Sequence, residues 1–399
     1  MKVIYNEGEQ KVPIKLWLDD IEDGAMQQAK NLSNLPFVFK HIAIMPDSHQ
    51  GYGMPIGGVI ATENVVIPNA VGVDIGCGMC AVKTPWTTDE IDIATIKKIM
   101  GKIREQVPVG FAHHKTEQNQ DLMPYKLYAL DAGNSFTPIC CAEYRNALTQ
   151  IGTLGGGNHF IEIQKDKDKN IWIMIHSGSR NIGLKVAKHY NDLAISLNEQ
   201  WHSGIPKKWE LAFLPLDDTF GQYYLKEMQY CVDFALANRK LMMNRIADIF
   251  DDTMQWKKID KDAMINIAHN YASMENHFGK NVMVHRKGAT LARVDAIGII
   301  PGSQGSKSYI VKGKGNLDSF TSCSHGAGRK MGRKEAQRQL NLADEQKILD
   351  AQGIIHSIRG AKDLDEASGA YKDIDVVMKN QEDLVEILVE LSPMAVIKG

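Results

Sequence analysis

Short apolar stretches broken by glycine and proline mark the centre of this sequence. They are rich in β-branched and large apolar residues, which is the composition of buried strands. Six stretches have this pattern: FKHIAIMPD (39–47), IGGVIATENVVIP (56–68), MCAVKTP (79–85), NIWIMIHSGSR (170–180), AIGIIPGS (296–303) and SYIVKG (308–313). We expect β-strands in all of them, with polar loops where the strands end.

Helical patterns alternate with those strands. NIGLKVAKHYNDLAISLNEQ (181–200) follows one strand directly, and residues 219–250 repeat apolar side chains every three or four positions, with Thr219 as the helix cap. Residues 87–150 are more polar and predict a variable, peripheral helical excursion. No repeat or linker divides the chain. We therefore expect residues 1–399 to form a single large α+β domain with a mainly β centre and peripheral helices.

The composition is that of a soluble globular protein, with 44% hydrophobic and 24% charged residues. No apolar run approaches the roughly 20 residues that span a bilayer, and MKVIYNEGEQ (1–10) lacks the apolar core of a signal peptide, so a cytoplasmic location is expected. The six scattered cysteines are then expected to be reduced, and a metal role is favoured over a disulfide. The net charge of −2 is no general signature of nucleic-acid binding, so a polyanionic partner must meet a local patch.

Five polar segments stand where strands are expected to end: MPDSHQGYGMPIGG (45–58), VGVDIGCGM (71–79), LGGGNHFIE (154–162), IHSGSR (175–180) and IAHNYA (267–272). The first four are dense in glycine. Glycine lets the backbone approach a ligand closely, at an entropic cost that a merely structural loop has little reason to bear repeatedly. These loops are therefore the candidates for a ligand site.

The same loops carry sulfur, nitrogen and oxygen ligands for a metal ion. Taken singly, each has a structural alternative, such as a buried thiol, a turn-capping carboxylate or a hydrogen-bonded core histidine. Together they exceed what one tetrahedral ion requires, which allows a two-metal centre with a bridging thiolate, for Mn²⁺, Zn²⁺ or Co²⁺. The candidate ligands are Asp74, Cys77, His159, His176 and His269.

Two glycine-rich turns, GIIPGSQGSKS (298–308) and SHGAGR (324–329), offer backbone N–H groups and hydroxyls to an oxyanion. Neither a Walker loop nor a Rossmann turn is present. Arg180, Arg329 and Arg333 stand beside the polar loops, and their forked guanidinium groups suit phosphate. A solvated basic surface is the structural alternative for each arginine.

Seven motifs support a closer reading: PDSHQGYG (46–53), VGVDIGCGM (71–79), GTLGGGNHF (152–160), HSGSR (176–180), PGSQG (301–305), SCSHGAGR (322–329) and AYKDID (370–375). Together they resemble the RtcB family of RNA ligases over nearly the whole chain. The resemblance implies the family's own α+β fold. It also implies an enzyme that uses GTP and manganese to join RNA 3′-phosphate or 2′,3′-cyclic phosphate ends to 5′-hydroxyl ends.

The resemblance also implies roles for the matching residues. Asp74, Cys77 and His159 resemble the ligands of one manganese ion, and Cys77, His176 and His269 those of a second, with Cys77 bridging. His325 resembles the nucleophile that becomes guanylylated, and the three arginines would hold RNA phosphates. The implied GTP site comprises Asn158, His159, Phe160, Ile161, Glu162, His269, Asn270, Pro301, Gly302, Ser303, Gln304, Ser308, His325, Gly326, Ala327, Gly328 and Lys398.

Two alternatives stay open. A binuclear metal phosphatase or nuclease would activate water with the same ligands and would not need His325. A non-catalytic member would bind RNA ends without joining them. The residues also leave open whether the substrate comes from tRNA splicing or from RNA repair, and whether an archease-type activator takes part. Gln304 stands where the family commonly has Met, so it is expected to alter guanine packing or to add a hydrogen bond.

Overall fold

The computed structural model describes residues 1–124 and 138–399. Within them the strands are β1 (Lys2–Ile4), β2 (Ile14–Leu16), β3 (Val38–His49), β4 (Ile56–Thr62), β5 (Val65–Val66), β6 (Gly78–Thr87), β7 (Phe160–Asp166), β8 (Asn170–Ser177), β9 (Leu214–Pro215), β10 (Ile265–Ala268), β11 (Asn270–His277), β12 (Lys280–Lys287), β13 (Ala289–Leu291), β14 (Ile297–Ile300), β15 (Ser308–Gly313), β16 (Ser322–Ser324) and β17 (Val385–Lys398). The α-helices are α1 (Asp23–Ser33), α2 (Pro68–Val71), α3 (Ile93–Gln106), α4 (Ile139–Ala142), α5 (Tyr144–Gln150), α6 (Arg180–Gln200), α7 (Thr219–Met254), α8 (Arg333–Gln339), α9 (Leu342–Ala351) and α10 (Ile374–Lys379). The α+β class is confirmed.

Two sheets form the centre of the fold. One has six strands in the order β1-β2-β3-β4-β12-β11, and the other has seven in the order β10-β6-β8-β7-β17-β15-β14. Every neighbouring pair in the seven-stranded sheet is antiparallel. Strand β13 pairs with β16, and β5 pairs with β9. Strand order rather than chain order therefore decides which loops become neighbours.

Apolar side chains hold these layers together. Ile163 and Ile173 of the seven-stranded sheet cluster with Met242 and Phe250 of α7, so this helix covers one face of the sheet. A second cluster joins the two sheets and includes Val59, Val284, Ile300, Tyr309 and Val311. The burial of such side chains is the main driving force for this arrangement.

The start of α7 differs from the expectation. Thr219 is already the first helical residue, and the N-cap is Asp218, whose carboxylate accepts the N–H of Phe220 at 2.9 Å. The prediction of Thr219 as the cap was wrong because the preceding carboxylate makes the stronger acceptor for the first free N–H groups. The helix continues to Met254.

Two further differences concern strands. Residues 56–68 form two strands, β4 and β5, because the chain turns at Asn64, which has a φ of +59°. Strand β17 was missed by the pattern, since its acidic residues and Pro393 break the apolar run. Both show that neighbouring strands can support a segment whose own pattern is weak.

Residues 87–150 contain α3, α4 and α5, in line with the helical excursion, and residues 125–137 of that stretch lie outside the described part. The assignment of residues 1–399 to one domain stays a prediction. Within the described ranges, none of the helices combines the length and the apolar character that a membrane span needs.

Candidate metal and nucleotide site

Five strand ends of the seven-stranded sheet meet at one edge. Because neighbouring strands run antiparallel, the starts of β6 and β7 lie beside the ends of β8, β10 and β17. Cys77 and His159 directly precede β6 and β7, His176 is the penultimate residue of β8, and His269 directly follows β10. Lys398 ends β17. The topology thus gathers residues that are far apart in the sequence.

Two glycines allow the loop of Cys77 to reach this edge. Gly76 has a φ of +75°, and a Cβ there would lie 2.8 Å from the Cα of Val232 in α7. A Cβ on Gly78 would lie 1.9 Å from the carbonyl oxygen of Ile267 near the end of β10. Side chains at either position would therefore push the loop away from its neighbours.

The candidate ligand atoms converge at the sheet edge. The Sγ atom of Cys77 lies 3.5 Å from Nε2 of His159 and 3.3 Å from Nε2 of His176, and these three atoms lie within 4.8 Å of one another. Oδ2 of Asp74 lies 3.1 Å from Nε2 of His159. The ring of His269 continues the row, with its centroid 5.2 Å from that of His176.

Hydrogen bonds on the far side of two rings determine which nitrogen faces the cluster. Nδ1 of His159 donates to the carbonyl of Leu154 at 3.0 Å, and Nδ1 of His176 donates to the carbonyl of Asn158 at 3.1 Å. Each Nε2 therefore presents a lone pair to the thiol, as metal-binding histidines do. The buried Nδ1 of His269 has no hydrogen-bond partner in the described residues, and a cation would satisfy it.

The protonation states also suit a metal ion. Burial, followed by the charges of neighbouring imidazoles, lowers the pKa of His176 and of His269 well below the usual value. Burial and then the charge of Asp74 raise the pKa of the Cys77 thiol. Neutral imidazoles, a carboxylate and a thiol whose proton a cation can replace fit a divalent ion of borderline softness.

His325 lies beside this row of rings. Its ring centroid is 4.8 Å from that of His269. Its Nδ1 lies 2.6 Å from Oδ2 of the fully buried Asp47, and the same oxygen accepts the N–H groups of His325 at 3.0 Å and of Gly326 at 3.3 Å. A carboxylate only accepts, so Nδ1 carries the proton and Nε2 keeps its lone pair. Such an oriented imidazole is suited to nucleophilic attack.

Asp47 is a functional candidate that the sequence reasoning missed. It belongs to β3, 278 residues before its partner His325. A Cβ on Gly328, which has a φ of +74°, would lie 2.0 Å from the carbonyl oxygen of Asp47, so the two segments touch through their backbones. The available signal was a carboxylate at the end of the apolar run FKHIAIMPD, which is otherwise suited to a buried strand.

The residues assigned to GTP surround β7 and β15. Glu162 is buried on the same face of β7 as Phe160, and Gln164 Nε2 donates to it at 2.6 Å and to Oγ of Ser308 at 3.1 Å. Burial raises the pKa of Glu162 to about 7. Ile161 faces the other side and packs in the core, so only its backbone is available to a ligand.

The turn 301–304 meets the loop of the candidate nucleophile. Ala327 donates its N–H to the carbonyl of Pro301 at 2.9 Å, which joins the two glycine-rich segments. Gln304 Nε2 donates to the carbonyl of Glu366 at 2.8 Å. Of the two expectations for this glutamine, the structure therefore supplies the added hydrogen bond.

Asn270 connects the nucleotide residues with the metal cluster. Its Nδ2 donates to the carbonyl of Asp74 at 3.0 Å, and its Oδ1 accepts the N–H of Gly288 at 2.7 Å. A Cβ on Gly288 would lie 3.1 Å from the ring of His325. Asn158 joins the two groups as well, through the hydrogen bond that His176 donates to its carbonyl. The two predicted sites are thus one continuous site.

Comparisons with known proteins agree with this geometry. The model of the family described as tRNA-splicing ligase RtcB matches residues 28–399. The chain is 38% identical to the RNA-splicing ligase RtcB of Escherichia coli K12, over 98% of both chains. It is 31% identical to the tRNA-splicing ligase RtcB of Thermococcus kodakarensis, over 98% of this chain and 95% of that one. The chain belongs to the RtcB family. The resemblance inferred from its motifs is confirmed.

In this RtcB-family chain, the three arginines predicted to bind RNA differ in their surroundings. Arg180 Nε donates to Oγ1 of Thr153 at 3.1 Å. Arg329 and Arg333 both donate to Oε1 of Glu366 at 3.1 Å. The side chain of Arg333 is 54% exposed and that of Arg329 only 13%. Arg333 is therefore the more accessible of the two.

Glu366 is the second residue that the sequence reasoning missed in this RtcB-family chain. Besides Arg329 and Arg333, it accepts the hydroxyl of Tyr371, and its Oε2 lies 3.6 Å from Nζ of Lys398. Burial raises the pKa of Glu366, but the charge of Lys398 and the hydrogen bond from Tyr371 lower it by more than burial raises it. The net shift is downward, so the carboxylate stays ionised. The stretch KDLDE (362–366) looks like an ordinary solvated face, and nothing in the sequence set this residue apart.

Proposed function

We propose that this chain is an RNA ligase that uses GTP and two Mn²⁺ ions. It joins RNA 3′-phosphate or 2′,3′-cyclic phosphate ends to 5′-hydroxyl ends, in tRNA splicing or RNA repair. One observation carries the proposal: His325 adjoins the row of candidate metal ligands, yet its Nδ1 is bound by a buried carboxylate, and among the described residues its Nε2 makes no hydrogen bond. A hydrolase that activates water has no need of such an imidazole, whereas a covalent intermediate requires it.

The metal ligands are proposed to act in two sets. Asp74, Cys77 and His159 would hold one ion, and Cys77, His176 and His269 the other. The converging lone pairs and the unpartnered Nδ1 of His269 support this assignment. Bound ions would neutralise phosphate charge and polarise the bonds that break.

GTP is proposed to bind between the turn 301–304, the loop 325–328, Glu162 and Lys398. In the first step, the Nε2 lone pair of His325 attacks the α-phosphorus. A nitrogen–phosphorus bond forms, and the bond from that phosphorus to the pyrophosphate oxygen breaks. The ring becomes cationic, and the carboxylate that accepts its Nδ1–H stabilises the developing charge.

Two transfers complete the reaction. An oxygen of the RNA 3′-phosphate attacks the bound GMP, the nitrogen–phosphorus bond breaks, and His325 becomes neutral again. The 5′-hydroxyl of the second RNA then attacks the activated 3′-phosphate, which leaves a phosphodiester and releases GMP. A 2′,3′-cyclic end must first be opened by water to a 3′-phosphate.

Arg180, Arg329 and Arg333 are proposed to hold the RNA backbone and its terminal phosphates. Such contacts depend on salt and carry little sequence information. The exposure of Arg333 supports its role most directly. An archease-type protein is the candidate activator, and its addition to a ligation reaction would test whether it raises the turnover rate.

Incubation with Mn²⁺ and GTP labelled at the α-phosphate tests the covalent step. We expect an acid-labile, base-stable label on the protein that is absent in His325→Ala. His356→Ala is the matched control, because His356 also lies next to a carboxylate, Asp350, at 3.2 Å, but that carboxylate is 72% exposed rather than buried. This control should keep the label.

A ligation assay with defined RNA ends tests the overall reaction. We expect joined product from a 3′-phosphate or cyclic-phosphate strand and a 5′-hydroxyl strand. Bound metal without a protein label would instead favour the metal phosphatase or nuclease. Binding of RNA ends with neither label nor product would favour the non-catalytic alternative.

A further inference from the structure

Helix α7 places two polar residues, Asn238 and Arg239, directly behind the candidate metal ligands. The pattern of this helix predicts nothing more than core packing, yet both side chains are fully buried. Burying a charged group is costly unless each of its donors is bonded. The partners of these two residues therefore show what they do in the fold.

The guanidinium of Arg239 binds the backbone of three separate segments. Its Nη1 donates to the carbonyls of Gly76 at 3.0 Å and Ser177 at 2.8 Å. Its Nη2 donates to the carbonyl of Ile267 at 3.1 Å, and its Nε donates to Oδ1 of Asn266 at 2.8 Å. These four hydrogen bonds leave one rigid, planar group, so the guanidinium helps to fix the distances between the segments.

Each of these segments carries one of the candidate ligands. The first carbonyl belongs to the residue before Cys77, the second to the residue after His176, and the third to the second residue before His269. The three ligands lie at the ends of β6, β8 and β10, and β6 pairs with both of the other strands, so strand register sets their separation together with this guanidinium. The guanidinium is bonded to all three segments at once, from the side of α7.

Asn238 extends this arrangement to the loop of His159. Its Oδ1 accepts the N–H of Gly152 at 2.7 Å and of Thr153 at 3.2 Å. Its Nδ2 donates to the carbonyls of Thr153 and Gly178, both at 3.2 Å. The loop that leads into His159 is thereby tied to the segment after β8 and to α7.

These contacts differ from those of an ordinary buried arginine. Within residues 1–124 and 138–399, the hydrogen bonds of Arg239 go to three carbonyls and one amide oxygen, and none goes to a carboxylate. Buried arginines are normally paired with a carboxylate, as Arg286 is with Glu275. The acceptors of Arg239 are instead the loops that hold the ligands, so its placement serves the geometry of those loops.

We propose that Asn238 and Arg239 form a clamp that positions four of the five candidate metal ligands, Cys77, His159, His176 and His269, and thereby sets the affinity for the metal. Both are positioning residues, since they act through the backbone of the ligand loops. The inference rests on the proposed metal site. It goes beyond that site by assigning control of metal affinity to two residues of α7 that do not contact the metal.

Calorimetric titration of the metal-free protein with Mn²⁺, without nucleotide or RNA, tests the clamp. The test variant is Arg239→Lys, which keeps the charge but cannot bridge three segments. Loss of outer hydrogen bonds to metal ligands typically lowers affinity by about 10- to 100-fold. We expect a loss in this range, with cooperative unfolding retained in urea. Arg286→Lys is the matched control: it changes an equally buried arginine, should be destabilised, and should bind Mn²⁺ within twofold of wild type.

The outcomes separate the clamp from the metal site itself. Equal Mn²⁺ affinity in wild type and Arg239→Lys overturns the clamp, as does an equal loss in Arg286→Lys. If Arg239→Lys does not fold, Asn238→Ser tests the same idea, and an unchanged affinity there overturns it. Failure of the wild-type protein to bind Mn²⁺ would instead overturn the proposed metal site.

Discussion

Two fully buried arginines, Arg286 and Arg239, meet the same physical problem with different partners. Arg286 on β12 pairs with both oxygens of Glu275 and also donates to Oγ of Ser322 at 2.9 Å. In the described part of the chain, Arg239 on α7 has only carbonyl and amide oxygens as hydrogen-bond partners. The charge of Arg286 is neutralised by Glu275. Arg239 instead lies behind the candidate metal ligands, which are a carboxylate, a thiol and imidazoles.

The difference distinguishes a cluster that supports the fold from one that is built to bind. Burial raises the pKa of Glu275, but the hydrogen bond of His277 and the charge of Arg286 lower it below the usual range, so the pair stays charged and satisfied. Around Cys77, in contrast, the lone pairs face one another, and Nδ1 of His269 has no partner in the described part of the chain. A cluster that leaves acceptors facing each other needs a cation to be stable.

Breaking the ion pair should have the largest effect on stability. Arg286→Met leaves the Glu275 carboxylate buried without its main partner, which typically costs about 3–5 kcal/mol. Urea unfolding measures the change. The double variant Arg286→Met/Glu275→Leu should recover much of the loss, because no buried charge remains. A loss below about 1 kcal/mol in the single variant would contradict the structural role of this cluster.

Adding metal should stabilise the cluster around Cys77 and leave the cluster around Arg286 unaffected. At a free Mn²⁺ concentration 100 times the dissociation constant, binding raises the free energy of unfolding by about 2.7 kcal/mol. Thermal unfolding with and without Mn²⁺ should show this gain in wild type and none in Cys77→Ala. Cys80→Ala is the control, since Cys80 is an equally buried thiol three residues further on and should keep the gain. A full gain in Cys77→Ala would return Cys77 to a packing role.

Acid should lower the stability of the folded protein by protonating buried histidines outside the metal site, even when no metal is bound. His285, next to Arg286, is buried, and burial lowers its pKa from 6.5 to about 4. A lowered histidine pKa contributes stability that is present above pH 6.5 and is lost as the pH falls toward 4. Protonation of His285 should therefore lower the free energy of unfolding by about 2 kcal/mol at pH 5. Urea unfolding at pH 7.5 and pH 5 measures the loss, and His285→Gln should reduce it. An unchanged pH dependence in that variant would assign the effect to other groups.

Weakening α7 at its start should have the smallest effect on the free energy of unfolding. Asp218→Ala removes the N-cap and typically costs about 1 kcal/mol. Mn²⁺ affinity should stay at the wild-type value, because the cap is far along the helix from Asn238 and Arg239. A tenfold loss of affinity in Asp218→Ala would mean that any weakening of α7 disturbs the metal site, and that the clamp is not specific.

The sequence by itself determined the fold class, the strands β3, β4, β5, β6, β8, β14 and β15, the two long helices and the family. Strand ends rich in glycine and in metal-binding side chains were visible in VGVDIGCGM and GTLGGGNHF because these residue types are unusual next to buried strands. Cys77 and His159 of these two segments, with His176 of IHSGSR, are the residues that the structure brings within 4.8 Å of one another.

Only the tertiary structure revealed Asp47, Glu366 and the pair Asn238–Arg239. Each is a common polar residue in a common kind of segment, and its significance comes from contacts with residues distant in sequence. Asp47 and His325, for example, are 278 residues apart. Sequence pattern reports which apolar segments are buried, because apolar side chains leave water on folding, but it does not single out a buried polar side chain such as Arg239. Which partner neutralises a buried charge is decided by strand order and by helix placement, which no local pattern contains.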